Sequence, residues 1–235
     1  TRLPQTWRKL PVLAQVCSVA EAQKALAAGA TGLIAKGQES GGRVGQESSF
    51  VLLQRLVMLA AEQAGDQEPV PVWCQGGIAL NTAAAAFAGG AYGVVVDSIL
   101  AAFPESSLPQ ELKTQILGMD GSEARESAGY HVYARGQREV AALENMDAAA
   151  LRSALTAGTL LPLGQDAALS RLVLAECSNI EALVQTLRQR IAGQIQQAQT
   201  LRVLEENNAW ARSHGTRYPI AQGPMTRVSD TAAFT

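Results

Sequence analysis

The stretch Gly32-Leu-Ile-Ala-Lys36, followed at once by Gly37-Gln-Glu-Ser-Gly-Gly-Arg-Val-Gly45, joins a short apolar run to a loop with four glycines. An apolar run of this length, bounded by glycine, is typical of a strand that is buried in a parallel sheet. The sequence therefore predicts a strand over residues 32–36 and a glycine-rich loop at its carboxyl end.

Three more apolar runs of the same kind lie on either side of this stretch. They are Pro11–Val16, Val70–Cys74 and Tyr92–Val96. The segments between the runs have a helical pattern, over residues 19–28, over 49–63, and from a cap at Asn81 or Thr82 to Gly89-Gly90. Ser18-Val-Ala-Glu21 has the form of a capping box, and Gly29 is a typical C-terminal stop, so both ends of the first helix are predicted.

Short apolar strands that alternate with amphipathic helices predict parallel βαβ units and therefore an α/β fold. All the glycine-rich loops follow strands, and that edge of the sheet carries the active site in a parallel barrel or a doubly wound sheet. A TIM-barrel-type (β/α) fold is the preferred prediction, because the chain has no early Gly-x-Gly-x-x-Gly turn. Later segments predict weaker strands near residues 130 and 160 and a long helix after Ser178–Glu181.

The composition argues against several classes of protein. Nineteen basic and 21 acidic residues give a net charge of −2, so a basic nucleic-acid-binding face is not expected. No apolar run approaches the ~20 residues of a membrane span, and the first residues lack a signal-peptide pattern. The three cysteines lie far apart and form no Cys/His cluster for a metal. We expect a cytoplasmic protein without nucleic-acid or membrane partners.

Four motifs, in this order, resemble those of the nitronate monooxygenase (2-nitropropane dioxygenase) family. They are Gly32–Gly37, Glu39–Gly42, Gln75–Ile78 and Glu105-Ser106. The family comprises FMN-dependent TIM barrels and includes flavin enoyl-acyl reductases of bacterial and polyunsaturated fatty-acid synthesis. The resemblance spans roughly residues 10–165, which are similar to the later strands of such a barrel.

A fifth segment, Pro219–Met225, resembles the first strand of a second barrel of the same kind. Tandem barrels occur in polyketide- or fatty-acid-synthase-type polypeptides, so the resemblance implies neighbouring synthase domains as partners. The implied domains are the C-terminal part of one barrel over residues 1–165, a helical extension or connector over 166–212, and the start of a second barrel over 213–235. An incomplete barrel would dimerise, borrow the strand at Tyr218–Met225 or rely on neighbouring sequence, and these alternatives stay open.

The resemblance also implies where FMN would bind. It places Lys36, Gly41 and Gly42 against the flavin, and it assigns the FMN phosphate to the backbone N–H groups of Gly76 and Gly77. Glycines suit an anion because no Cβ blocks its approach to the N–H dipoles. The resemblance assigns the rest of the phosphate site to Asp97 and Ser98. The flavin ring of the second barrel would lie along Gln222, Gly223 and Met225.

Two positions depart from the pattern of the family. The catalytic base of the family is a histidine that follows the paired glycines, and here Arg43 takes its place as the candidate catalytic residue. A guanidinium stays protonated, so Arg43 cannot accept a proton but can stabilise an anion. Arg43 is either a clamp for a ligand at the mouth of the site or a solvated loop residue that pairs with a neighbouring acid, and both interpretations stay open. Asp97 replaces a glycine and would repel a phosphate unless Lys36 or Arg43 paired with it.

Three functions are consistent with these residues. The first is an FMN-dependent oxidoreductase module of enoyl-reductase or nitronate-monooxygenase type, with an acyl or nitronate-like substrate. The second is a catalytically silent barrel that serves as a structural or docking element of a multidomain synthase, which Arg43 and Asp97 favour. The third is a barrel enzyme for a sugar phosphate or similar metabolite. Outside the site, Glu39 is predicted to order its own loop, Cys74 to fill the core, and His131 to be structural.

Overall fold

The computed structural model describes residues 10–221 and residue 223 of the chain. It divides into two units, Thr1–Ala192 and Gly193–Thr235. The strands, all in the first unit, are β1 (Leu13–Val16), β2 (Gly32–Lys36), β3 (Gly42–Arg43), β4 (Val72–Gln75), β5 (Gly93–Val95), β6 (Ala124–Ser127) and β7 (Tyr130–Tyr133). The helices are α1 (Val19–Ala28), α2 (Ser49–Ala64), α3 (Ala83–Ala88), α4 (Gln110–Leu117), α5 (Gln137–Glu144), α6 (Ala148–Thr156), α7 (Ser170–Leu174), α8 (Ile180–Leu201) and α9 (Ala209–Ser213). Two 3-10 helices cover Ser98–Ala102 and Gln165–Leu169.

The main sheet has the order β1-β2-β4-β5, and all its strands are parallel. The α/β prediction and its four early strands are therefore confirmed. The local signals act as expected: the Ser18 hydroxyl accepts the N–H of Glu21 at 3.2 Å, and Gly29 ends α1 in the left-handed conformation. The Glu21 carboxylate, in contrast, accepts the N–H of Cys17, one residue earlier than in the simple capping box.

One face of the main sheet packs on the helices and forms the core. Leu33, Ala35 and Cys74 on this face are buried, and they belong to the same cluster as Leu52, Leu53 and Leu56 of α2. Burial of such side chains contributes about 25 cal/mol per Å² of apolar surface. Leu183 and Leu187 belong to this cluster too, so the first half of the long helix packs within the first unit.

The opposite face of the main sheet is much less covered. The side chains of Gln15, Ile34 and Trp73 lie in register on this face. Leu13 on the same face is 44% exposed, and Tyr92, just before β5, is 71% exposed. A closed barrel of eight strands fills this interior with side chains. The described strands therefore present the inner wall of a barrel.

A second sheet, antiparallel and of order β3-β7-β6, fixes the glycine-rich loop after β2. Gly42 pairs with His131 and Arg43 with Tyr130, so the predicted strand near residue 130 is confirmed. The strand predicted near residue 160 is wrong, because residues 157–164 form turns and an extended loop. That loop makes one ladder-like bond, from the Tyr133 N–H to the Leu161 carbonyl, and then turns onto the edge of the main sheet.

The second unit contains the end of α8 and the short helix α9. Asn208 caps α9 by accepting the N–H of Ala211, and the Trp210 and His214 rings stack at 4.3 Å. Residues 217–221 form no strand, whereas Gln222, Pro224, Met225 and the residues after them lie outside the described residues. None of the described helices is long and apolar enough to cross a lipid bilayer.

The packing of α2 generates a test of the core. Leu56 is fully buried, whereas Met58, two residues further along the same helix, is 63% exposed. We expect Leu56→Ala to lower the free energy of unfolding in urea by about 2–5 kcal/mol, because it leaves a cavity in the core. Met58→Ala is the matched control and should change it by less than about 1 kcal/mol. Equal losses in the two variants would contradict this assignment of the core face.

Candidate functional site

The carboxyl ends of β2, β4 and β5 bring three loops together at one edge of the main sheet. Gly37 donates its N–H to the carbonyl of Gln75, which joins the first two loops at 2.9 Å. At Gly76 a Cβ would lie 2.8 Å from the Ser40 hydroxyl, so these two loops are also in close contact. The structure thus places Gly76 and Gly77 beside the glycine-rich loop.

We call Gly76, Gly77, Asp97 and Ser98 the phosphate cup, after their predicted role. Gly76 and Gly77 have φ values of +104° and +64°, which a residue with a Cβ rarely adopts. Ser98 begins the 3-10 helix that follows β5, and its side chain is buried. The backbone of the cup therefore has the turn that an anion site needs.

The chain itself fills the space around the cup, through residues 161–166, which we call the covering segment. A Cβ on Gly41 would lie 1.9 Å from the Pro162 carbonyl oxygen, and one on Gly164 would lie 2.1 Å from the Glu39 carbonyl oxygen. The Gly164 N–H donates to the Ser98 hydroxyl at 3.0 Å. Gly41 and Gly164 therefore serve a backbone-to-backbone contact between the loop after β2 and the covering segment.

The covering segment also buries a carboxyl group near the cup. Asp166 is only 4% exposed, and its backbone N–H donates to the Glu39 carbonyl at 3.3 Å. Burial raises the pKa of Asp166 to about 6, the carboxylates of Asp97 and Glu39 raise it further, and hydrogen bonding by the Ser98 hydroxyl and the Gly77 N–H lowers it. Its Oδ1 is fully buried and has no hydrogen-bond partner among the described residues.

Sequence reasoning missed Asp166. The only local signal was an acidic residue two positions after Gly164, at the start of the range 166–212 that was expected to form a helical extension or connector. Nothing in that pattern shows that the segment returns to the tips of β4 and β5. The contact therefore becomes visible only in the folded chain.

Lys36 stands at the end of β2, with its ammonium group at the same edge. It is 7% exposed, and a Cβ on Gly42 would lie 3.7 Å from its Nζ. Burial lowers the pKa of Lys36, while the negative charge of Asp97 raises it. Within the described part of the chain, the Lys36 ammonium forms no hydrogen bond and no ion pair. It is a buried cation without a direct partner there.

Asp97 has a neutral partner in place of the expected cation. Its Oδ2 accepts a hydrogen bond from the Gln75 amide at 2.7 Å. The Gln75 amide oxygen in turn accepts from the Gln15 amide at 2.5 Å, so a chain of polar side chains crosses β1, β4 and the end of β5. Among the described residues, Asp97 thus has a hydrogen bond from a neutral amide and no direct ion pair.

Arg43 points toward α1. Its two terminal nitrogens bind the Glu21 carboxylate at 2.7 and 3.0 Å, in a two-pronged ion pair that is half exposed. Hydrogen bonding to Glu21 raises the pKa of Arg43, and the same bonds hold the pKa of Glu21 below its ordinary value. Among the described residues, no hydrogen bond joins the Arg43 side chain to the cup.

The remaining predicted residues fall outside the cup. The Glu39 carboxylate accepts the N–H of Ser49 at 2.9 Å, so its predicted loop-ordering role is confirmed. Burial raises the pKa of Cys74 to about 11, as suits an inert thiol in the core. Gln222 and Met225 lie outside the described residues, and Gly223 belongs to the second unit.

The FMN phosphate does not fit the cup as it is arranged. The Ser98 hydroxyl already accepts the Gly164 N–H, and the covering segment fills the approach over Gly41. Asp97, Asp166 and Glu39 would also place three carboxyl groups around a dianion. At contact distance and an intermediate dielectric, each like-charge pair costs several kcal/mol.

Comparisons with solved structures show the same fold. FabK from Thermotoga maritima has a TM-score of 0.65 at 23% identity, over 83% of this chain and 66% of that one. A nitroalkane oxidase from Streptomyces ansochromogenes has a TM-score of 0.55 at 22% identity, over 79% of this chain and 58% of that one. The enoyl reductase domain of MlnA from the macrolactin biosynthesis cluster of Bacillus amyloliquefaciens has a TM-score of 0.61 at 12% identity, over 81% and 69%.

The chain spans less than two thirds of the length of a mutant FabK from the same bacterium, of which 62% is covered. A search of curated protein sequences found no match. The family model described as nitronate monooxygenase matches residues 8–151, which is more than half of the chain. The parallel sheet, the glycine-rich loop after β2 and the glycine pair after β4 all fall within that match. The chain therefore belongs to the nitronate monooxygenase family.

Proposed function

We propose that this chain is a catalytically silent barrel module of a larger, multidomain synthase of polyketide- or fatty-acid-synthase type. The fold is that of an oxidoreductase family whose members include flavin enoyl reductases. One observation supports the proposal: the covering segment packs against Gly41 and donates the Gly164 N–H to the Ser98 hydroxyl, so the chain itself occupies the space beside the cup. Fold alone does not establish an activity, so the function is argued from the site.

The position of Arg43 supports the same conclusion. A base that accepts a proton from a nitronate, or returns one to an enolate, needs a lone pair at neutral pH, and a guanidinium has none. Arg43 is also held by Glu21 at a distance from the cup, so no residue of the described chain takes over the role of the family histidine there. His131 is buried, with its Nδ1 against the Ser40 carbonyl, where it supports the loop.

The uncovered inner face of the main sheet supports a role as a docking or structural element. Leu13 and Trp73 lie on the face that a complete barrel would enclose, and Leu13 is 44% exposed. Neighbouring domains of the same polypeptide or a second copy of the chain would cover this face. We place the protein in the cytoplasm, where its three free, buried cysteines would stay reduced.

A second candidate is the FMN-dependent oxidoreductase, and the buried ammonium of Lys36 favours it. A lysine that is 7% exposed and lacks an ion pair among the described residues is a natural partner for an anion at this edge. For this function the covering segment would have to leave the cup. The substrates to test would then be acyl compounds and nitronate-like compounds.

Flavin binding separates the two candidates. We expect the purified chain to be colourless, and FMN added at 100 µM to shift its melting temperature by less than about 1 °C, because a ligand that does not bind the folded state cannot stabilise it. Arg43→His should gain no oxidase activity on a nitronate. Arg55→His is the matched control, since Arg55 is likewise an exposed arginine paired with a glutamate. A co-purifying flavin, or activity confined to Arg43→His, would overturn the proposal.

The ionisation of Asp166 generates a second test. Its pKa is about 6 in the folded chain against 3.8 for an ordinary aspartate, so the folded state binds this proton more tightly than the unfolded state. The resulting stabilisation is complete below about pH 4 and is lost as the pH rises through about 6. Glu39, Asp97 and Lys36 interact electrostatically with the Asp166 carboxyl, so they influence the pH at which this stabilisation is lost.

Asp166→Asn keeps the shape of the side chain and removes the charge. At pH 7.5 we expect its free energy of unfolding to exceed that of the parent chain by on the order of 2–3 kcal/mol, and at pH 4 the two should agree. Urea unfolding across this range measures the difference. The exposed Asp66 provides the control variant Asp66→Asn, which should follow the parent at every pH. An Asp166→Asn difference that does not change with pH would show that the carboxyl is not buried in the cup.

A further inference from the structure

We propose that the chain has a second site, an apolar cavity outside the cup that binds an uncharged amphiphile: an aliphatic chain with a hydroxyl head group. The cavity lies between α4, β7, α5 and the loop over residues 158–161, and its volume is about 540 Å³. Small-molecule sites are typically apolar cavities of about 300–1,000 Å³ with a few polar groups. The inference does not rest on the proposed function, because none of the four cup residues is among the described residues that line this cavity.

The cavity lies where two separate hydrophobic clusters meet incompletely. Leu112 and Leu161 belong to the first cluster. Leu143, Met146 and Leu160 belong to the second. All five side chains line the cavity, so its walls are apolar on both sides. Water is poorly held in such a space because it finds few polar partners there, and an aliphatic chain is the kind of molecule that fills it.

A neutral polar pair lies in the wall of this apolar space. The Tyr133 hydroxyl donates to the Gln115 Oε1 at 3.1 Å, and both side chains line the cavity. Within the described part of the chain, the Gln115 Nε2 makes no hydrogen bond and the Tyr133 oxygen accepts none. One group of the pair can therefore donate to a ligand while the other accepts from it. A hydroxyl group matches both, because its single oxygen donates and accepts.

The charge at the edge of the cavity disfavours an anionic head group. Glu139 is exposed and lines the cavity, and its Oε2 accepts the backbone N–H of Arg135 at 2.6 Å. No cationic side chain is among the described residues that line the cavity. A fatty carboxylate would therefore meet a like charge without a counter-charge, whereas an alcohol with the same chain has no charge to desolvate.

Methionine methyl groups report on the cavity directly. Met146 lines it, whereas Met58 lies on the exposed face of α2. The experiment labels the methionine methyl groups of the full chain with carbon-13 and titrates 1-octanol, and separately octanoate, at pH 7.5 while methyl NMR spectra are recorded. We expect 1-octanol to shift the Met146 signal saturably and to leave the Met58 signal in place. Octanoate should bind at least about tenfold more weakly, because its charge is repelled by Glu139.

Two neighbouring alanines of α5 provide a matched pair of variants. Ala142 lines the cavity, Ala141 is not among the residues that line it, and both are exposed. Ala142→Leu places a larger aliphatic side chain in the cavity and should weaken 1-octanol binding at least about tenfold, whereas Ala141→Leu should leave it unchanged. Leucine suits an exposed helix position, so both variants should fold. Gln115→Met removes the hydrogen-bonding groups of that side chain and should weaken binding by about three- to tenfold.

A Met146 signal that does not respond saturably to 1-octanol, or a Met58 signal that responds in the same way, would overturn the inference. Equal loss of binding in Ala142→Leu and Ala141→Leu, or no loss in either, would place the ligand elsewhere and would overturn it too. Octanoate binding as tight as that of 1-octanol would contradict the assigned ligand class. None of these outcomes bears on FMN binding, so the proposed function is tested separately.

Discussion

The contact between the covering segment and the loop after β2 determines how the rest of the candidate site is arranged. It is a close approach of two backbones, in which Gly41 faces the Pro162 carbonyl and Gly164 faces the Glu39 carbonyl. Neither position has room for a Cβ. The Gly164 N–H then reaches the Ser98 hydroxyl, and the next turn buries Asp166. The burial of one carboxyl group thus follows from two glycines that permit the approach.

The same contact affects how the glycines and the serine at this edge of the sheet can interact with a ligand. Paired glycines at 41–42 and 76–77, followed by a serine after β5, form an anion site when the space above them is open. Here the covering segment packs over part of this space. Membership in the nitronate monooxygenase family therefore describes the fold and the ancestry of the site. Whether the site can bind a ligand depends on the groups of the chain that lie in it.

The early strands and their helices could be predicted from the sequence because their signals are local. Ser18, Gly29 and the apolar run over 32–36 each act within a few residues, and the structure forms α1 and β2 with the predicted bounds. The convergence of the loops after β2, β4 and β5 followed from parallel topology alone. The path of residues 157–164 could not be predicted in this way. Their apolar pattern resembles that of a strand. In the structure, however, Leu163 packs in a small cluster with Ile116 and Met119, and the backbone of this segment does not join a β-sheet.

The site chemistry was harder to predict for a related reason. Charges find their partners across the tertiary structure, and sequence spacing does not show which partner is near. The sequence left two interpretations of Arg43 open, and the structure confirms that it pairs with a neighbouring acid: Glu21 of α1 binds both its terminal nitrogens. Spacing alone could not show which acid this would be. Asp97 was expected to need a cation, yet the Gln75 amide satisfies one of its oxygens. With Arg43 and Asp97 engaged elsewhere, Lys36 and Asp166 are two buried ionisable groups at this edge, and within the described residues no ion pair joins them. Burial shifts the pKa of both groups toward the neutral form, upward for Asp166 and downward for Lys36, and this burial depends on a return of the chain to the sheet edge that sequence spacing does not show.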